Sequence, residues 1–298
     1  MHTIRRPAYG SGVESFCKRY LDSIPGMQTD KAGNRIMRIG ASPVMWSSHT
    51  DTVHKAEGIQ KVAYGDGVLS LAAGEDSNCL GADDSAGVWI MRQMIQRKVS
   101  GLYIFHAAEE VGGHGSEYIA RETAELVDGI HYAIALDRKG YDSVVTHQFA
   151  GRCASDSFAE ALALRLGGGF ACDSGGTFTD SANYMDLIPE CSNLSVGYAG
   201  AHSPAESLDV SFCARLLESL CALDVSTLPV SREAGASDYG RFDDYPPWYE
   251  DKSTESLRAL CWDMPGIAAE LLADYGIDAA EFQRFAADRK PAKAGGWR

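Results

Sequence analysis

"LYIFHAAEEVGGHGSEYIARETAELVDGIHYAIALD", residues 102–137, holds two short apolar runs with a segment of helical spacing between them. The runs 102–108 and 130–137 are apolar almost throughout, as in strands buried on both faces; a strand with one wet face would alternate. A helix between two such strands makes a βαβ unit, with a right-handed crossover and a sheet covered on both sides. The pattern extends outward in both directions. Upstream, "DSAGVWIMRQMIQRKV" (84–99) reads as a helix. Downstream follow "SVVTHQF" (143–149), the helix "SDSFAEALALRLGG" (155–168), the strand "ECSNLSVG" (190–197) and the helix "DVSFCARLLESLCAL" (209–223). Nearer the N-terminus, Val13, Phe16, Cys17 and Tyr20 predict a helix over 11–23 behind a serine cap. Strands or a hairpin are expected in 34–40 and 43–49, and a second hairpin turns at Gly65-Asp66-Gly67. The fold class is therefore α/β: a three-layer α/β/α arrangement with a mostly parallel central mixed sheet. It is expected to occupy residues 1–225. Residues 226–252, dominated by proline, glycine and charge, read as an irregular acidic linker, and 253–298 regain helical spacing as a C-terminal appendage.

With 298 residues, 45% of them hydrophobic, the chain can bury a sizeable core. Its net charge of -14 argues against binding nucleic acid or an anionic membrane through bulk electrostatics. No apolar run approaches the roughly 18 residues that cross a bilayer, and the arginines of "MHTIRRPAYG" precede no apolar stretch. A cytoplasmic chain is expected. The eight cysteines (17, 79, 153, 172, 191, 213, 221, 261) form no C-x-x-C pair, which excludes a zinc knuckle or a thioredoxin-type motif. Most are expected to be reduced and buried.

In an open α/β sheet, ligand-binding side chains gather beyond the carboxyl ends of the strands. His49 ends "PVMWSSH", Glu109 and Glu110 follow 102–108, Asp137 ends 130–137, and His202 follows "NLSVGYAGA". Asp83 and Asp84 open the helix after "GA". Taken singly, each has an ordinary reading: Asp83 or Asp84 as a helix cap, His202 as a satisfied polar group, the glutamates as solvated side chains, Asp51 as a turn residue. Taken together, carboxylates gathered at one sheet edge repel one another unless a cation neutralises them. One or two divalent metal ions are the simplest neutraliser.

Five ordered segments, "SSHTDTVH", "GADDSAGV", "HAAEEVGGHGS", "ALDRKG" and "AHSPAESLDV", span roughly residues 44–210. In them the chain resembles the co-catalytic zinc exopeptidases, the superfamily of peptidase T, the glutamate carboxypeptidases and the bacterial leucyl aminopeptidases. The resemblance implies two divalent ions, zinc foremost, with manganese or cobalt as alternatives. His49 and Asp137 would bind one ion and Glu110 and His202 the other, with Asp83, in preference to Asp84, bridging them. The Asp51 carboxylate would accept the remaining ring N–H of His49, and Glu109 would be the general base. Imidazole and carboxylate donors suit these metals, whereas thiolates mark closed structural sites. "GGTFTDSANYMD" (175–186) resembles the segment lining the substrate pocket, which makes Asp180, Asn183 and Tyr184 candidates. Asp180 could hold a free α-amine or cap the following turn. His106 is expected in the core and His114 in a loop.

The activity implied is metal-dependent hydrolysis of peptides by an aminopeptidase or a di- or tripeptidase. The alternatives are a deacylase acting on N-acyl amino acids or a carboxypeptidase, and, in another class, a non-catalytic binding protein with a peptidase fold. No arginine in a specific motif stands ready to clamp a terminal carboxylate; Arg138 and Arg152 are the nearest. Residues 138–201 leave no room for the lid and dimerisation domain that peptidase T inserts there. Residues 50–82 are too few for the inserted β domain of the tetrahedral aminopeptidases. A bare catalytic domain is expected, and the sequence does not define its oligomeric state.

Overall fold

The apolar runs form the middle of an eight-stranded mixed sheet in the computed structural model of the chain, which describes residues 1–148 and 151–236. Its order is Ala171–Asp173, Ser143–Val145, Glu190–Ser195, Tyr132–Arg138, Val44–His49, Gly101–His106, Arg35–Ile39 and Gln28–Thr29. The four central strands, from Glu190–Ser195 to Gly101–His106, run parallel. Ser47 lies opposite both Ile104 and Ala135, and every residue of Val44–His49 and Gly101–His106 is buried. This is why those runs are continuous rather than alternating. Antiparallel partners flank the parallel core on either side.

Among the described residues five α-helices, α1 (Ser11–Tyr20), α2 (Ala82–Gln96), α3 (His114–Glu122), α4 (Asp156–Leu166) and α5 (Val210–Ala222), complete the three layers. α2 packs on Val44–His49 and Tyr132–Arg138, and α5 packs on α2. The approach of α2 is close: a Cβ on Gly87 would stand 2.1 Å from the Leu136 carbonyl oxygen. α4 and α5 start on side-chain caps, Ser155 accepting from the Phe158 N–H and Asp209 from the Phe212 N–H.

Parallel strands deliver their carboxyl ends to one edge, so His49, His106 and Asp137 emerge side by side. A second, four-stranded antiparallel sheet orders Tyr198–Ala199, Ser207–Asp209, Val68–Leu71 and Val62–Gly65. The loop between its first two strands carries His202. Its hairpin turns at Asp66 and Gly67, both at positive φ (51° and 84°), as two-residue hairpin turns require.

Several boundaries differ from expectation. α1 ends at Tyr20 and is capped by Gly10; Ser11 instead donates its hydroxyl to Glu57 at 2.6 Å. The helix expected over 115–127 breaks at Thr123 into α3 and a 3-10 turn, Ala124–Val127. Residues 226–236, assigned to the linker, lie on the first unit: the Tyr132 hydroxyl donates to the Leu228 carbonyl at 2.6 Å. There the buried Arg232 donates to the Met185 and Pro189 carbonyls, and Glu190 accepts from the Ser231 and Arg232 N–H groups. The chain divides after Asp238 into units Met1–Asp238 and Tyr239–Arg298. The remainder of the expected linker and the helical appendage fall outside the described residues. The seven described cysteines are free; five are buried, while Cys172 is exposed and Cys221 half-buried. Among the described residues no helix is long and apolar enough to cross a membrane.

Candidate metal centre

His49, the last residue of its strand, is fully buried and fixed at both ring nitrogens. Its Nδ1 lies 3.1 Å from the main-chain carbonyl of Asp51, which can only accept, so Nδ1 carries the proton. Nε2 faces a group of acids: Asp83 Oδ1 at 2.9 Å, Asp137 Oδ1 at 3.3 Å and Glu109 Oε2 at 3.9 Å. The Asp51 carboxylate, 3.6 Å from Nδ1, was expected to hold that ring proton. It also accepts the N–H groups of Glu109 (3.1 Å) and Glu110 (3.2 Å), so Asp51 anchors the turn that carries both glutamates.

Asp83 faces two histidines. Its Oδ1 meets His49 and its Oδ2 lies 3.3 Å from His202 Nε2, which is itself 3.4 Å from Glu110 Oε2. Ligand atoms of His49, Asp83 and Asp137 lie within 4.8 Å of one another, as do those of Asp83, Glu110 and His202. The two groups share Asp83. The Asp83–Asp84 peptide is cis. Asp84 is buried and occupied by the His49 N–H (3.2 Å) and the Gly87 N–H (2.8 Å), which leaves bridging to Asp83.

Several polar atoms at this point are buried without a hydrogen-bond partner: Asp137 Oδ1, Glu110 Oε1 and His202 Nε2. Buried polar atoms are nearly always satisfied, and orphaned atoms from one histidine and two carboxylates, beside His49 and Asp83, form a donor set that fits divalent cations. The remaining oxygen of Asp137 accepts from Thr179 Oγ1 at 2.7 Å. Glu206, to which the sequence gave no role, is buried on the His202 loop. Its carboxylate accepts from the N–H groups of Leu80 (2.8 Å), Gly81 (2.9 Å) and Asp83 (3.0 Å). That single side chain fastens the two loops bearing His202 and Asp83.

Burial raises the acids: Glu110 and Glu206 to about 7, Asp137 to about 6 and Asp180 to about 8, with Asp83 adding its charge against Glu110, Asp137 and Glu206. Burial works against charge on His202, yet the nearby carboxylates of Asp83 and Glu110 lift it to about 11. An acid raised in this way binds its proton more tightly in the fold than in the unfolded chain, so its contribution to stability is lost as pH rises through the folded pKa. The raised His202 acts in the same sense. Burial lowers His54 to about 4 and His106 to about 3, which opposes this trend below the ordinary histidine value of 6.5. Chelator-treated protein is therefore expected to gain stability as pH falls from about 8 to about 6.5. With divalent metal added the order reverses, because protons compete with the ion for the same atoms. Thermal midpoints across that window, with and without metal, check both signs.

The three substrate-pocket candidates lie on one 3-10 turn, Asp180–Tyr184. Tyr184 is fully buried, its hydroxyl 2.8 Å from His106 Nε2, and it packs inward against the sheet. The side chain of Asn183 donates to Ser116 Oγ at 2.8 Å, tying the turn Asp180–Tyr184 to α3. Asp180 does not cap that turn; its Oδ2 lies 3.3 Å from His106 Nδ1 and its Oδ1 is unpartnered. His106 is in the core as expected, and His114 opens α3, where its ring stacks on Tyr9.

No protein-family model matches the sequence, and no curated protein matches it. Solved structures do match. An aminopeptidase, PepT, of Bacillus cereus aligns with a TM-score of 0.59 at 15% identity, over 74% of this chain and 93% of that one. A tripeptidase of Staphylococcus aureus aligns at 0.57 and 14% identity, over 74% and 94%. The TET1 peptidase of Pyrococcus horikoshii, which assembles into a tetrahedron or an octahedral shell, aligns at 0.52 and 15% identity, over 73% and 94%. The chain shares the α/β fold of these structures.

Proposed function

We propose that this chain is a metal-dependent exopeptidase, an aminopeptidase or a di- or tripeptidase, built as a catalytic domain without an inserted lid. The observation that carries the proposal is the shared carboxylate: Asp83 turns one oxygen to His49 and the other to His202, each histidine having its own second acid. His49 and Asp137 would hold one divalent ion and Glu110 and His202 the other, with Asp83 common to both groups. Zinc suits this donor set best, with manganese or cobalt as substitutes. Two such ions, when bound, lower the pKa of a water and polarise the carbonyl it attacks.

The chain's own residues supply the rest. Glu109 belongs to neither ligand group but stands beside them, 3.9 Å from His49 Nε2. It takes the proton of the attacking water and passes it to the leaving amine. Asp51 holds Glu109 and Glu110 in register through their main-chain N–H groups, and Thr179 orients Asp137. A surplus of carboxylate suits a substrate ammonium group better than a substrate carboxylate. Arg138, next to Asp137, spends its guanidinium on Asp173 and the Gly175 carbonyl, which supports the aminopeptidase reading over the carboxypeptidase one. The free cysteines fit a reducing, cytoplasmic setting.

Metal content per chain after purification without chelator, paired with hydrolysis of amino-acid anilides, N-acetylated amino acids and C-terminally blocked peptides, tests the proposal. About two ions per chain are expected, as in co-catalytic sites, with anilide hydrolysis lost on chelation and restored by zinc. A chain that takes up no divalent ion overturns it. Cleavage confined to N-acetylated substrates would replace the aminopeptidase with a deacylase.

A further inference from the structure

Arg6 belongs to no sequence motif, yet its side chain is wholly buried. Its Nε donates to the Thr50 carbonyl at 2.7 Å and its Nη2 to Ser85 Oγ at 2.7 Å. Thr50 stands between His49 and Asp51. Ser85 follows Asp83 and Asp84, and passes its own hydroxyl proton to the Gly81 carbonyl at 2.6 Å. One planar fork therefore ties the strand exit bearing His49 to the loop bearing Asp83. The Arg6 carbonyl accepts the Thr52 N–H at 3.0 Å, so the backbone is fastened on the far side of Asp51 as well. The guanidinium rests over the Phe16 ring, 4.1 Å from its centroid. Beside it α1 packs so closely that a Cβ on Gly12 would lie 2.3 Å from the Arg5 carbonyl oxygen.

Charge points the same way. Asp51 and Asp84 are buried acids outside both ligand groups whose carboxylates accept main-chain N–H groups. Burial works against charge on Arg6, and the nearby charges of Asp51 and Asp84 offset part of that cost. A guanidinium stays charged at every accessible pH, and its fork reaches two acceptors in fixed geometry, which an ammonium on a flexible stem does not reproduce.

We infer that Arg6 is a positioning residue for the metal centre: by tethering the Thr50 carbonyl and the Ser85 hydroxyl it sets His49 and Asp83 at the spacing a shared ion needs. The inference rests on the metal-dependent reading above. Its test is divalent-ion affinity, measured by competition with a chromophoric chelator, for the wild type, Arg6→Lys, Arg6→Met and Arg232→Met, with thermal midpoints in excess chelator. Arg232 is the control, a buried arginine whose partners are main-chain carbonyls of Met185, Ile188, Pro189 and Ala236. Groups behind metal ligands typically govern about 10–100-fold in affinity. Arg6→Lys is expected near the lower end and Arg6→Met near the upper, while Arg232→Met lowers the midpoint and leaves affinity alone. Should Arg6→Met fail to fold, Arg6→Lys carries the test, since it keeps charge and most of the volume. Wild-type affinity in the folded Arg6 variants, or an equal loss in Arg232→Met, overturns the inference while the metal reading stands. A wild type that binds no divalent ion overturns both.

Discussion

Glu109→Gln is expected to lower peptide hydrolysis by about 10²- to 10⁴-fold, the range general bases supply, while metal content stays at the wild-type level. The expectation follows from where the side chain stands. Glu109 is outside both groups of convergent donors, and its carboxylate faces the His49 ring at 3.9 Å, too far for a hydrogen bond yet beside the point where the ligands meet. Its main-chain N–H is held by Asp51, so the amide variant keeps the backbone and loses only the ability to accept a proton. The neighbouring Glu110 provides the contrast: it belongs to the Asp83 and His202 group, so Glu110→Gln is expected to lose metal along with activity. Steady-state kcat and metal analysis on the same samples separate the two roles. Undiminished hydrolysis by Glu109→Gln would falsify the base assignment. Loss of metal in that variant would instead make Glu109 a ligand.

Much of this arrangement is legible in the sequence because a parallel sheet converts linear order into position. An apolar run buried on both faces ends at a defined edge, so the residue after each run lands beside the residues after the others. That logic places His49, Asp137 and the Glu109-Glu110 pair together without reference to any side-chain contact. It says nothing about residues that act across the chain. Glu206 meets Leu80 over 126 positions and Arg6 meets Ser85 over 79. No local pattern marks either pairing, and a buried arginine near the N-terminus reads in sequence as an ordinary surface charge. Side-chain direction at the strand exit is equally hidden. Asp51 lies two residues after His49, and either its carbonyl or its carboxylate could meet the ring; the backbone turn brings the carbonyl nearer. Tyr184 turns inward for a related reason, since successive residues of a short 3-10 turn face different ways and this one packs against His106.

The shared carboxylate leads to a sharper expectation. Asp83 is the one residue common to both donor groups among the described residues. Asp83→Ala is therefore expected to abolish binding of both ions at metal concentrations that saturate the wild type. His202→Ala removes a donor from the Glu110 group alone and is expected to keep one ion, held by His49, Asp83 and Asp137. Stability should follow the same count. An ion present at about 1,000 times its dissociation constant stabilises the fold by about 4 kcal/mol, so added zinc should stabilise the two-ion wild type most, the one-ion His202→Ala by about half as much as the wild type, and Asp83→Ala hardly at all. Asp84 cannot rescue the loss, because its two oxygens are taken by the N–H groups of His49 and Gly87 and its displacement would pull on the strand end. Retention of two ions by Asp83→Ala would mean that each ion has a full ligand set without a common carboxylate. Retention of one would mean that Asp83 serves a single ion and the centre is not built around a bridge.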